Sequence, residues 1–420
     1  MIRLYNGKLL SLCDGFEISD WEVWVEESMI LYVGPAIGAH PPFEREIDLR
    51  GNLLMPGFKN AHAHSAMTFL RSYADDLPLQ SWLFDKVFPL EAKLTPDDIY
   101  ALTKLAILEY VRGGVTSAFD MYYKREAFAQ AAIDCGYRMV LCGALAAGDD
   151  WTVGEMDTVK FNNLHPLISY IPGIHAEYTA NLDLLMFMKM LLDEYKMPFF
   201  THNSETKREV DECIARYGKS PVAWFEELGT LDSPTAAAHC VAVSDEDIAI
   251  LKRHGVNVIH NPTSNLKLGS GFAPVRKLMD AGINLALGTD GAASNNNLDM
   301  FEEMHLADIM PCGYRHDPTE VSSAEVLDMA TVNGARLQGR SDTGVLAVGK
   351  KADIIALDLD KPHLYPNFDT PALLTCAAHS SDVVLTMVDG KILYENGEYK
   401  TLDREKVFYE ARAAVKRLYA

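Results

Sequence analysis

The chain has 420 residues, 48% hydrophobic and 23% charged, which is the balance of a globular protein and long enough for two or three domains or one large α/β barrel with an appendage. Its 38 basic and 59 acidic residues give a formal net charge of −21. With no Lys/Arg cluster as a local exception, that charge argues against a nucleic-acid partner, whose phosphates would be repelled. The opening "MIRLYNGKLLSLCDGFEISD" lacks an apolar signal region, and the nearest thing to a membrane span, "LLMFMKMLL", is short and carries Lys189, so the reading is cytoplasmic with no membrane partner. Seven cysteines without a C-x-x-C pair read as reduced thiols, leaving His and carboxylates to hold any metal.

In chain order, residues 1–55 read as short strands ("IRLYNGKLL", "WEVWVEESMILYVGP") separated by turn residues. From residue 53 the texture changes to apolar runs alternating with amphipathic segments. "LLMPGFKNAHAH" (53–64) is the first run. "TPDDIYALTKLAILEYVRGG" follows as a helix, with Thr95 as N-cap, Pro96 in the first turn and Gly113 as the stop. "VTSAFDMYY", "RMVLCGAL", "LISYIPGIHAEY", "PFFTHNSE", "TAAAHC", "VNVIHNP" and "NLALGTDG" complete eight strands, several of them separated by helical segments such as "SDEDIAILKRHG". Eight such units over residues 56–340 predict a (β/α)8 TIM-like barrel. The rival, a doubly wound sheet, lacks a Gly-rich phosphate fingerprint after its first strand. Strands return over 341–402, with "DG" and "NG" turns, and a helix closes the chain at 403–420. The predicted fold is therefore α/β: a barrel with a small β-sandwich subdomain assembled from both chain ends.

Polar residues end the apolar strands. His62 and His64 end the first, His175 the fourth, His202 and Glu205 the fifth, His239 the sixth and Asp290 the eighth. Strand C-termini converge on one mouth of a barrel, where its chemistry is done. By chance alone roughly 0.4 H-x-H pairs are expected in this composition, so the pair itself decides nothing. Its place at a strand end does more, because residues two apart share a face and two imidazoles can grip one ion. His62, His64, His202 and Asp290 suit Zn²⁺ or Fe²⁺ with one position left for water. Taken singly, each residue reads as structural, Asp290 as a turn former. His260, after strand seven, is left as a structural group.

"MPGFKNAHAHSAMTFLRSYADDLPLQSWL", "FPLEAKLTPDD", "HNSETKREV", "AAHCVAVSDEDI", "HNPTSNLKLGSG" and "ALGTDGAASNNNLDMFEE" together resemble the amidohydrolase superfamily, in its branch of methylthioadenosine/S-adenosylhomocysteine deaminases and related triazine hydrolases. The resemblance runs from about residue 1 to 400. It implies metal ligation by His62, His64, His202 and Asp290, a proton-shuttling Glu205, a catalytic His239, a ribose-binding Glu91 and a substrate-contacting His175. Strand four ends in "IHAEYT", without the Lys that bridges two metals in other members, so one divalent ion is implied, zinc or iron.

Two departures matter. Homocysteine-accepting relatives carry Arg after strand three, whereas here "RMVLCGALAAGDDWTVGEMDTV" offers only Arg138, within the strand. Glu177 replaces the Pro common in relatives, so it is read as a substrate-binding group, with a second cation or a bland loop acid as alternatives. The predicted reaction is hydrolytic deamination of an adenine nucleoside (adenosine, 5′-deoxyadenosine or methylthioadenosine) by attack of activated water at C6. The alternative is hydrolysis of a free heterocycle such as guanine, pterin, cytosine or a triazine at the same site. A non-catalytic scaffold on this fold is the last reading. Family members are often homo-oligomers, and no segment marks the surface that would pair.

Overall fold

The computed structural model describes residues 1–420. Ten parallel strand segments form its centre: β1 (Phe58–His64), β2 (Val115–Met121), β3 (Arg138–Cys142), β4 (Ile168–Ile171), β5 (Gly173–Ala176), β6 (Phe199–Asn203), β7 (Thr235–His239), β8 (Asn257–His260), β9 (Leu285–Leu287) and β10 (Asp290–Gly291). They make two five-stranded sheets, ordered β4-β3-β2-β1-β10 and β5-β6-β7-β8-β9. Each sheet ends where the other begins. β4 and β5 are separated only by Pro172, which has no N–H to continue a ladder. β9 and β10 are separated by Gly288 and Thr289. Backbone bonds carry on across the first break, Leu145 N to Gly173 O at 3.1 Å and His175 N to Leu145 O at 3.0 Å.

Alternation along the strands sorts their side chains. One compact apolar cluster takes Ala61, Phe119, Val140, Ile171, Phe200, Ala238, Ile259 and Ala286, and so draws on both sheets at once. The opposite faces, including Met139, Leu141, Ala237, Val258 and Leu285, join the larger core. Helices alternate with the strands. That at Pro96–Arg112 starts as its sequence predicts: Thr95 accepts from Asp98 N while its own N–H reaches Asp98 Oδ2 at 2.7 Å, and Gly113 ends it.

The run 53–64, read from sequence as one strand, is two. Leu53–Pro56 pairs with Ile354–Leu357 and Lys8–Leu10 in a seven-stranded sheet built from both chain ends, and only β1 belongs to the parallel set. The break falls at Gly57, where a Cβ would sit 2.1 Å from Thr116. A four-stranded sheet of residues 2–48 faces this one across Leu4, Leu9, Val23, Ile30, Leu54 and Ile354.

A buried ion cluster joins the two parts. Lys59 Nζ lies 2.8 Å and Arg138 Nε 3.0 Å from Asp353 Oδ2, and Arg138 Nη2 reaches Asp389 Oδ1 at 2.9 Å. Arg138 is thus committed to the subdomain contact at the start of β3. No helix is long and apolar enough to cross a membrane.

Candidate metal centre and active site

The ends of β1, β6, β7 and β10 bring His62, His64, His202, His239 and Asp290 together. Asp290 Oδ1 lies 3.4 Å from His62 Nε2 and 3.2 Å from His64 Nε2, and the Nε2 atoms of His62 and His202 are 3.2 Å apart. Two overlapping triads, His62–His64–Asp290 and His62–His202–His239, have ligand atoms within 4.8 Å of one another. Backbone carbonyls set two of the rings: His64 Nδ1 donates to Met121 O at 2.7 Å and His202 Nδ1 to His175 O at 2.6 Å. Their Nε2 atoms are left facing the centre, the arrangement a metal-binding imidazole requires.

Burial and the charge of Asp290 pull the rings of this cluster in opposite directions. Burial draws His62 down to about 4. Burial also lowers His64, but the hydrogen bond and charge of Asp290 outweigh it and lift that ring to about 9. Burial opposes ionisation of Asp290 too, and His62 and His64 nevertheless hold it well below the carboxylate range. Lone pairs of two imidazoles meeting at 3.2 Å beside a carboxylate fit a divalent ion with one protein carboxylate and three nitrogens. The carboxylate is held in turn: Asp290 Oδ2 accepts from Ser264 Oγ at 2.6 Å and Ser294 Oγ at 3.0 Å.

Backbone in the left-handed region gathers here, at Ser204 (φ 49°), His239 (φ 72°) and Asp290 (φ 58°). At Ser204 the strain is secured by Glu209, whose carboxylate takes Ser204 N at 3.0 Å and Glu205 N at 2.7 Å. That turn sets Glu205 in the wall of a cavity shared with His64, His202, His239, Asp290, Glu91 and His175. Glu205 Oε2 stands 3.9 Å from His239 Nε2, and burial raises its pKa. Glu91, from the short helix Phe88–Glu91, has an Oε1 without a partner, and burial pushes its carboxyl up to about 7. Trp82, Phe88, Tyr122, Tyr123 and Tyr178 supply aromatic walls that the sequence reading did not single out.

Glu177 lies apart from the other candidate residues. It does not line this cavity; its Oε2 accepts from Arg216 Nη2 at 2.6 Å. In the 3-10 turn Glu177–Thr179 it is the next residue, Tyr178, that forms part of the wall. His260 lines a separate chamber beside Asn265 and Phe272.

Two buried acids near the site give a stability prediction. Burial pushes Glu209 up to about 7 and Glu303 up to about 8. The fold therefore keeps protons that the unfolded chain has already lost, so the stability they confer below pH ~4.5 disappears as pH rises through 7 to 8. Melting temperature should fall between pH 5.5 and 8.5, and Glu303→Gln should flatten that fall. An identical slope in the variant would assign the pH dependence to other groups.

A model of the amidohydrolase family matches residues 53–393, and the chain belongs to that family, hydrolases of C–N bonds. Among its relatives, the 5-methylthioadenosine/S-adenosylhomocysteine deaminase of Thermoanaerobacter pseudethanolicus is 42% identical over 427 residues, 99% of each chain. The protein of the same name from Moorella thermoacetica is 43% identical over 91% of this chain and 92% of its own. An adenosine deaminase from Xanthomonas campestris with bound zinc superposes with a TM-score of 0.95 at 32% identity, covering 100% of this chain and 98% of that one. Atrazine chlorohydrolase from Arthrobacter aurescens TC1, with zinc, shares the fold with a TM-score of 0.92 at 24% identity, covering 99% and 100%.

Proposed function

We propose that this protein is a metal-dependent deaminase of adenine nucleosides, taking adenosine, 5′-deoxyadenosine or methylthioadenosine to the inosine analogue and ammonia. The observation that carries the reading is the one cavity whose wall holds His64, His202 and Asp290 together with Glu205, His239 and Glu91, whose Oε1 has no partner. The full-length relatives named as deaminases of methylthioadenosine support the substrate class. The two parallel sheets are read as one (β/α)8 barrel whose fourth and eighth strands are each split, and the two sheets of the chain ends as a β-sandwich.

In this reading His62, His64, His202 and Asp290 hold one divalent ion, zinc being the choice that the zinc-bound neighbour supports. Such an ion lowers the pKa of a bound water to around 7. The chain's own groups do the rest. Asp290 accepts a proton from the attacking water as its oxygen bonds to C6. Glu205, kept protonated in part by burial, donates to the ring nitrogen, takes up the C6 hydroxyl proton as the carbonyl forms and passes it to the departing amino group, which leaves as ammonia; the proton held by Asp290 then restores Glu205. His239 Nε2 hydrogen-bonds the nucleophile. Glu91 takes the ribose hydroxyls on its free oxygen, and His175 lines the substrate's path.

Beyond Phe88, Glu91 and His175 the cavity adjoins a chamber of about 370 Å³ lined by Leu94, Ile99, Ala144 and Ala146, with Lys124 and Asp149 the charged groups. Leu94, Ile99, Ala144 and Ala146 give an uncharged 5′ substituent an apolar surface, and with Arg138 held elsewhere Lys124 is the one cation of the lining, set among the acids Glu91 and Asp149. Protein stripped with a chelator and reloaded with zinc is expected to regain ammonia release from methylthioadenosine and to favour it over S-adenosylhomocysteine. Equal kcat/KM for the two would contradict the neutral-substituent reading. Full activity in the stripped protein would contradict the metal. The charge of −21 supports leaving nucleic acid out of its partners. We further propose that the protein resides in the cytoplasm and assembles as a homo-oligomer.

A further inference from the structure

The turn "HNPTSN" at 260–265 has no role in the reaction above, yet it braces both Asp290 and His239. Pro262 opens a short helix running to Lys267, and two neighbours within it reach two different residues. Ser264 Oγ donates to Asp290 Oδ2 at 2.6 Å, and Asn265 Oδ1 lies 2.8 Å from His239 Nδ1. The helix is pinned from behind by Glu303, which accepts Thr263 N at 3.2 Å and Asn295 Nδ2 at 2.6 Å.

We infer that Asn265 is a positioning residue that fixes the tautomer of His239, holding its proton on Nδ1 so that Nε2 meets the cavity as a bare acceptor. A carboxamide oxygen only accepts, so a 2.8 Å contact needs the hydrogen on Nδ1. A second amide, Asn261 Nδ2, approaches the same nitrogen at 3.3 Å and would favour the opposite tautomer; the shorter contact belongs to Asn265. Asn265 and His239 are each 1% exposed, so bulk water has no access to take over the bond. His64 and His202 receive the same setting from backbone carbonyls. Asn265 supplies that oxygen for His239. With Nε2 bare, His239 accepts a hydrogen bond from the attacking water and orients its lone pair toward the ring, instead of donating to the water and blunting it.

The catalytic consequence rests on the deaminase reading; the tautomer does not. The test is a multiple-bond ¹H–¹⁵N spectrum of zinc-loaded, ¹⁵N-histidine-labelled protein, with the His239 signals identified by their loss in His239→Asn. The expected pattern is a protonated Nδ1 and an unprotonated Nε2. Asn265→Asp keeps an acceptor oxygen and should keep the pattern, while Asn265→Leu should lose it with zinc content unchanged. In Asn265→Leu kcat should fall about 10–100-fold at unchanged KM. A proton on Nε2 in the unmodified protein overturns the inference, as does an unaltered tautomer or kcat in Asn265→Leu. If Asn265→Leu does not fold, the unmodified protein and Asn265→Asp still decide it. Should no nucleoside be deaminated at all, the functional reading fails while the spectrum still rules on the tautomer.

Discussion

Glu205→Gln is expected to lower kcat by about 10²–10⁴-fold while the protein retains its full complement of metal. Gln matches Glu in size and can still fill the wall beside His239, so the cavity survives. It cannot lose and regain a proton, and in the proposed reaction Glu205 must give one to the ring nitrogen and pass one to the leaving amine. Glu205 is 4% exposed and its pKa is raised by burial, which keeps part of the population protonated where an exposed Glu would be ionised. Its backbone is fixed by the Glu209 carboxylate at Ser204 N and Glu205 N, so the effect should be chemical and KM should change little. Steady-state kinetics paired with metal analysis gives the answer. Wild-type turnover in the variant would remove Glu205 from the mechanism.

The second large effect is structural. Asp353→Asn should destabilise the fold by about 3–5 kcal/mol. Lys59 and Asp353 are completely buried, and Arg138 is 1% exposed. Burial opposes ionisation of Asp353, but Arg138 and Lys59 outweigh it and hold that carboxyl well below its usual range. Its contribution is therefore present above the ordinary carboxylate pKa and is lost only in strong acid. An amide there leaves Lys59 without an anion and Arg138 with Asp389 alone, at the seam joining the parallel strands to the terminal sheet. Denaturant unfolding at pH 7 measures the loss. A change under 1 kcal/mol would mean that Asp389, already bonded to Arg138, compensates for both cations.

What could be read from sequence follows from which features repeat. His62 and His64 stand out because strand alternation puts residues two apart on one face, and His202, His239 and Asp290 because each closes an apolar run. Glu91 needed the family resemblance, since a lone acid after an apolar stretch has no periodic signature. The single strand read at 53–64 fails at Pro56-Gly57, a turn pair inside the run, where Gly57 packs against Thr116 and the chain passes from the terminal sheet to β1. Glu177 pairs with Arg216 while the 3-10 turn places Tyr178 in the cavity wall, a rotation that strand alternation does not anticipate. Ser264, Asn265, Glu209 and Glu303 went unread because short-loop hydrogen bonds leave no pattern. The partners also lie far apart in the chain, 40 residues from Thr263 to Glu303 and 294 from Lys59 to Asp353.

The most direct test of the central claim is ammonia release by metal-analysed protein offered adenosine, 5′-deoxyadenosine, methylthioadenosine, adenine, guanine and cytosine in parallel. Release from the nucleosides, with one inosine analogue formed per ammonia and little from the free bases, is the predicted result. Release from free bases alone would contradict the nucleoside claim and take the ribose contact from Glu91.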